Sequence, residues 1–399
     1  MDIRSRLGLR PVINVSGTMT GLGASIVAQP VIDALADVLP QFVEIDDLQR
    51  HASAAIAEAC GSESGYITAS CSAAITLSIA ATMTGDDAGL IERMPDTSGL
   101  ANEVVVQTGH LVNYGAPIDQ AIRLAGARAI AVGAATEAHA YQLAAAITER
   151  TTAALFVVSH HTVGYGLIPL EAFIETAHAK GVPVIVDAAS EYDLKRFIAA
   201  GADVVLYSAH KFLGGPTAGI VAGRKALVRA AYFQNGGIGR GMKVGKEGIV
   251  GAIAALEQWA RRDHAAVRAR EHGYLTLWQE ALNDCPGVRA QIDPDPTGNP
   301  LDRLKVSIDP REARTTAWDL ADALARPRDA ARPVIVRDHE VELHFFFLDP
   351  CNLHPGEEHV VLERLLAELH AARDAREPVV TPFHAHDAKR GAARKNWPD

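Results

Sequence analysis

From about Ile13 to Gly223, short runs of β-branched residues alternate with Ala-rich stretches whose apolar positions recur at helical spacing. That alternation predicts strand–helix units in a mostly parallel sheet. Ala154–Ser159, Val182–Asp187 and Asp203–Tyr207 are nearly unbroken apolar runs closed by a polar residue, the pattern of strands buried on both faces. Between the first two, Leu170–Gly181 reads as a helix closed by glycine, and Glu191–Gly201 repeats the pattern before the third. Thr136–Arg150 has the apolar stripe of a further amphipathic helix.

After Gly223 the texture changes. Gly236–Gly241 is glycine-rich and predicts a mobile loop, and Val250–Val267 predicts one long helix. Leu304–Asp309, Val334–Arg337 and Val341–Phe347 read as strands, and Glu357–Arg373 as a helix, which together predict a smaller α+β domain. The expected division is an N-terminal segment and large domain over 1–255, a small domain over 256–380, and a loose or partner-docked polar tail over 381–399.

Composition narrows the function classes. With 38 Lys+Arg against 48 Asp+Glu the formal charge is 38 − 48 = −10, which disfavours a nucleic-acid partner. Cys60, Cys71, Cys285 and Cys351 are too scattered for a disulfide framework, so a reducing, cytoplasmic compartment is expected. The first residues lack a signal-peptide pattern and no apolar run is long enough to span a membrane.

The chemistry concentrates in Tyr207-Ser-Ala-His-Lys-Phe-Leu-Gly-Gly-Pro216, where Lys211 follows a buried strand, and in Asp187, which ends another ahead of Ala188, Ala189 and Ser190. A lysine and a carboxylate at the carboxyl ends of parallel strands sit where open α/β sheets bind ligands. Pyridoxal 5′-phosphate needs that pair: the amine forms a Schiff base, the aspartate keeps the ring nitrogen protonated, and small residues such as Ala189 let the ring lie flat. Ser70, Cys71 and Ser72 open a predicted helix and offer hydroxyls and amides to a phosphate. Ser208 and His210 stand near enough to add donors.

On these residues, Asp187, Ser-Ala-His-Lys211 and the following Phe212–Gly223, the chain resembles fold-type-I pyridoxal-phosphate enzymes. More narrowly, it resembles the group containing selenocysteine synthase (L-seryl-tRNA selenium transferase) and D-glucosaminate-6-phosphate ammonia-lyase. The similarity runs from Pro11–Gly17 through Thr108–Gly115 and Val158–His161 to Arg240–Glu247, about two thirds of the chain. It departs from the selenium transferases in entering the catalytic domain almost at once. It also has Gly21–Ala24 and Gln107–Val112 where they carry arginine-containing elements. Both departures point away from a polyanionic substrate and toward a small amino acid.

The resemblance implies further roles. His110 stacks on the cofactor ring or fills its loop; His160 or His161 faces the cleft as an acid/base, without a metal; His210 holds the phosphate or is catalytic. Arg337 grips the substrate carboxylate, as the small-domain arginine of such enzymes does. Arg240 and Lys243, with Lys246, clamp an anionic substrate end, within one chain or across a homodimer interface, or are simply solvated. Cys351 reads as structural. The expected activity is α-proton abstraction by Lys211 and β-elimination of a hydroxyl, releasing ammonia and a 2-keto acid. Racemisation or epimerisation, aldol cleavage, selenium transfer and non-catalytic cofactor sensing stand as alternatives.

Overall fold

The computed structural model describes residues 3–328, 332–393 and 395. The chain divides into two compact units, one of Ser25–Arg262 with Pro296–Asn299, the other of Met1–Ala24 with Asp263–Asp295 and Pro300–Asp399. In chain order the strands are β1 Ile13–Val15, β2 Ser64–Thr68, β3 Glu103–Gln107, β4 Arg128–Val132, β5 Thr151–Val157, β6 Val184–Asp187, β7 Val204–Ser208, β8 Gly219–Gly223, β9 Val288–Pro294, β10 Asp302–Ile308, β11 Val334–Val336 and β12 Phe345–Leu348.

The larger unit is built on a seven-stranded sheet in the order β2-β8-β7-β6-β5-β3-β4. Strand β8 runs antiparallel to both neighbours, so the other six share one direction. Side chains alternate between two apolar layers. Val105, Ala154, Val186, Val205 and Ile220 enter one, while Val104, Leu155, Ile185, Leu206 and Val221 enter the other. A sheet covered on both faces needs the unbroken apolar runs seen in the sequence. The helix Cys71–Thr84 lies against one face with twelve of its 14 residues buried, so its N-terminus is held firmly.

All six parallel strands deliver their carboxyl ends to one edge. Thr68 and Ser208 both pair with Gly219 there, and Asp187 pairs with Val157. Gly219 allows that approach: a Cβ on it would lie 2.3 Å from the Ser70 carbonyl oxygen.

In the smaller unit β1 pairs parallel with β11, and a three-stranded antiparallel sheet runs β12-β10-β9. Trp278, Leu304, Phe346 and Leu365 anchor its core.

Several sequence expectations are corrected. The predicted helix Val250–Val267 is two helices, Lys246–Arg261 and His264–Asn283, because Arg262 is extended and the Asp263 side chain caps the second by accepting from Ala266 N. The unit boundary falls at that break rather than after 255, and Met1–Ala24 belongs to the smaller unit because β1 pairs with β11. The 236–241 loop is packed rather than mobile: a Cβ on Gly237 would lie 2.4 Å from the Ile91 carbonyl, and one on Gly239 2.6 Å from that of Gln234. Of Glu191–Gly201 only Arg196–Ala199 is α-helical. Val341–Leu343 is a 3-10 turn ahead of β12. The expected loose tail contains the helix Phe383–Ala393, in which Phe383 packs on Trp318 and His386 is buried. Residues 394 and 396–399 of that expected tail lie outside the described residues.

Candidate active site

Most of the expected site residues lie at or just beyond the carboxyl ends of β2, β3, β5, β6 and β7. The end of β2 leads into Ser70, which caps the helix Cys71–Thr84 by accepting from Ala73 N at 3.1 Å. The turn therefore aims its free amides, and the positive end of the helix dipole, toward the sheet edge. Ser72 Oγ lies 3.1 Å from the Tyr114 hydroxyl.

At the end of β6 the carboxylate of Asp187 is buried. Its Oδ1 accepts from Cys71 Sγ and from Ala189 N, each at 3.3 Å. Burial pushes Asp187 up to about 6, while the Cys71 and Ala189 hydrogen bonds and the charge of Lys211 pull the other way. Burial, reinforced by the neighbouring Asp187 charge, holds the Cys71 thiol well above its ordinary range, so Cys71 is an S–H donor at neutral pH. The Ser208 hydroxyl at the end of β7 and the charge of Lys211 act on that thiol in the opposite direction.

Beyond Ser208, a tight turn brings Lys211 N to Ser208 O at 3.2 Å and leaves the lysine half-buried. His210 is buried and its Nδ1 has no hydrogen-bond partner among the described residues; its backbone carbonyl accepts from Ser25 Oγ at 2.7 Å. Burial, then the Lys211 charge, lowers His210 to about 4. It is neutral at physiological pH, able to donate from one ring nitrogen and accept at the other.

His110 is fixed by the fold. Its Nδ1 accepts from Val157 N at 3.1 Å, its ring meets Phe156 edge-on at 4.5 Å, and burial lowers it to about 4, so it too is neutral. His160 and His161, in the turn after β5, lie with ring centroids 3.9 Å apart. Thr68 Oγ1 reaches Met242 O at 3.4 Å, which ties the turn carrying Arg240 and Lys243 to the end of β2; both side chains are exposed. Lys246 is turned to the Gln41 carbonyl.

In the smaller unit Arg303 is paired with Asp295 at 2.7 Å and Asp349 at 2.9 Å. Arg337 is only 8% exposed, and among the described residues its guanidinium has no hydrogen bond or ion pair. Burial, then repulsion by Arg303, brings Arg337 down to about 10, still cationic at neutral pH. Asp349, Glu340 and Asp295 act on it at a distance, and none of them pairs with it directly among the described residues. Cys351 is capped through its amide by Asp349, and burial raises its thiol, in keeping with a structural role.

Sequence reasoning missed Tyr114, although it lies inside the Thr108–Gly115 segment. It also missed Asn299, whose Oδ1 accepts from Tyr192 N at 2.9 Å and so braces the loop after Asp187 from 107 positions away. No local signal pointed to that contact.

The family profile described as SelA, L-seryl-tRNA selenium transferase, matches residues 12–283. D-glucosaminate-6-phosphate ammonia lyase of Salmonella typhimurium (strain 14028s / SGSC 2262) is 39% identical over 93% of this chain and 99% of its own. A solved structure of D-glucosaminate-6-phosphate ammonia-lyase superposes with a TM-score of 0.83 at 38% identity, covering 94% of this chain and all of that one. A 5′-C-glycyluridine monooxygenase-decarboxylase of Streptomyces sp is 36% identical over 91% of both chains. Aspartate aminotransferase from Thermus thermophilus, 15% identical with a TM-score of 0.54 over 92% of each chain, shares the fold alone, that of fold-type-I pyridoxal-phosphate enzymes. With the profile spanning most of the chain and a relative matching nearly all of it, this protein belongs to the L-seryl-tRNA selenium transferase family.

Proposed function

We propose that this chain is a pyridoxal-5′-phosphate-dependent ammonia-lyase acting on a small, polar β-hydroxy amino acid. The observation that carries the reading is the neighbouring strand-end pair Asp187 and Lys211, within a chain 39% identical over 93% of its length to an ammonia-lyase.

The local chemistry fits that cofactor. Asp187 is a buried carboxylate with no hydrogen bond to Oδ2 among the described residues, suited to a pyridinium N–H. Gly219 lets β8 pass under the Ser70 turn, whose amides and the Ser72 hydroxyl suit a phosphate, as does the unpartnered Nδ1 of His210. When bound, the cofactor supplies an electron sink conjugated to the substrate Cα.

Lys211 then takes the α-proton on its amine. Arg337 binds the substrate carboxylate through its two-pronged guanidinium, and a neutral His210, or one of the pair His160 and His161, protonates the departing β-hydroxyl. His110, held by Val157 N and Phe156, would pack beside the ring. The β-hydroxyl leaves as water, and the released enamine tautomerises and is hydrolysed by one water to the 2-keto acid and ammonia, so the reaction has no net water. Arg240 and Lys243 suit a substrate with an anionic far end. We also expect a cytoplasmic homodimer that binds neither nucleic acid nor membrane. Its four cysteines are free, no described helix is long and apolar enough to cross a membrane, and Ile32, Leu39, Phe42 and Ile45 are exposed on the larger unit.

A second reading, oxidative decarboxylation, is favoured by the Streptomyces relative. Both are tested on holoenzyme supplied with a panel of β-hydroxy amino acids, with keto acid, ammonia, carbon dioxide, oxygen consumption and chirality assayed separately. Keto acid and ammonia in equal amounts, lost in Lys211→Ala, support the lyase. Oxygen uptake with carbon dioxide supports the second reading. Inversion at Cα alone supports a racemase.

A further inference from the structure

The sequence pattern groups Cys71 with Ser70 and Ser72 as a phosphate-binding turn. The structure gives its side chain another direction. Cys71 is the first residue of the helix Cys71–Thr84, and its Sγ points at Asp187 Oδ1, 3.3 Å away, across 116 positions of sequence. Both residues are buried, Cys71 at 6% exposure and Asp187 at 6%. The second contact to the same oxygen, from Ala189 N at 3.3 Å, comes from Asp187's own strand end. Oδ1 therefore has two donors, while Oδ2 has none among the described residues.

We propose that Cys71 is a positioning residue for Asp187: its S–H, together with Ala189 N–H, occupies Oδ1, fixes the carboxylate rotamer and leaves Oδ2 as the acceptor presented to the ring N–H of the cofactor. Two physical effects follow. A donor to an ionised acceptor favours the charged form, so Cys71 keeps Asp187 ionised at lower pH than burial alone allows. Oδ2 is also held ready, so no rotamer freedom is lost when the ring arrives. The Cys71 thiol is thereby unavailable as a phosphate donor, because its one proton is engaged by Asp187, and only its backbone amide keeps that role.

The assignment deepens the proposed cofactor reading and rests on it, and the experiment separates the two. In the cofactor-free protein, the infrared S–H stretch that disappears in Cys71→Ser should shift to higher frequency in Asp187→Asn, as a donor to a carboxylate loses its charged acceptor. In wild type, Cys71→Ser and Cys71→Ala, cofactor affinity is then measured by fluorescence titration as a function of pH. Hydrogen bonds to charged groups predict affinity at pH 7 weakened about tenfold or more in Cys71→Ala, with its pH profile moved upward. Cys71→Ser, which keeps a donor, should recover most of the loss, a rescue that cavity formation alone would not produce. An S–H band unmoved by Asp187→Asn, or one pH profile shared by all three chains, overturns the assignment alone. Failure of the wild type to bind the cofactor at any pH overturns both readings.

Discussion

Asp187 is raised from an ordinary 3.8 to about 6, chiefly by burial. Its folded value lies above its unfolded one, so between those limits the folded chain holds the extra proton, and stability falls as pH rises through the window. Above pH 6 the cofactor-free protein therefore carries a penalty on the order of 3 kcal/mol from this one carboxylate. Asp187→Asn should unfold at higher denaturant concentration than wild type at pH 8, by about 1–3 kcal/mol without cofactor, and show little gain at pH 4. The same substitution should weaken cofactor binding, because a neutral amide no longer stabilises a pyridinium. Equal stability of the two proteins at pH 8 would contradict the assigned burial cost. Asp203 has the opposite sign. Burial raises it, but the Val184 amide, His178 and Arg224 outweigh that and hold it below the ordinary range. Its contribution is present above the unfolded value near 4 and lost as pH falls through the lower folded value. Asp203→Asn should cost about 1–2 kcal/mol at pH 7, since His178 and Arg224 stay in solvent when unpaired; denaturant unfolding measures it, and the gap should close in acid.

At the level of elements, the strand–turn–helix passage from β2 into the helix Cys71–Thr84 depends on a glycine in a different strand. A Cβ on Gly219 would meet backbone atoms of Ser70 and Cys71 at 2.3 to 2.8 Å, and backbone cannot swing aside as a flexible side chain does. Gly219→Ala should destabilise by about 2–4 kcal/mol and weaken cofactor binding, whereas Gly236→Ala, with open space around it, should stay within about 0.5 kcal/mol. Thermal unfolding of the two variants checks both. The sequence made the central strands legible because burial on both faces leaves unbroken apolar runs, and the ligand edge legible because polar residues end them. It misplaced what depends on contacts between distant segments. The loop after Asp187 looked helical by local pattern, yet from Glu191 to Lys195 it is non-helical and braced by Asn299. Gly236–Gly241 looked mobile because glycine permits flexibility; here two of those glycines permit close packing. The break at Arg262 was readable in principle, since Asp263 is an ordinary N-cap residue ahead of the next helix.

Across the whole molecule, the class of fold was legible from the alternation of buried strands and helices, and the expected pair Asp187 and Lys211 lies at and just beyond the ends of neighbouring strands. The role of Cys71 was not legible, since a thiol in a serine-rich turn gives no sign of which oxygen it faces. The relatives named are a selenium transferase, an ammonia-lyase and a monooxygenase-decarboxylase. The most direct test is one stoichiometric assay: holoenzyme with a β-hydroxy amino acid panel that includes D-glucosaminate-6-phosphate, following keto acid, ammonia and oxygen together. The lyase account predicts keto acid and ammonia in equal amounts, no oxygen uptake, and a loss of about a hundredfold or more in Lys211→Ala. Turnover that consumes oxygen, or that survives Lys211→Ala undiminished, would contradict it.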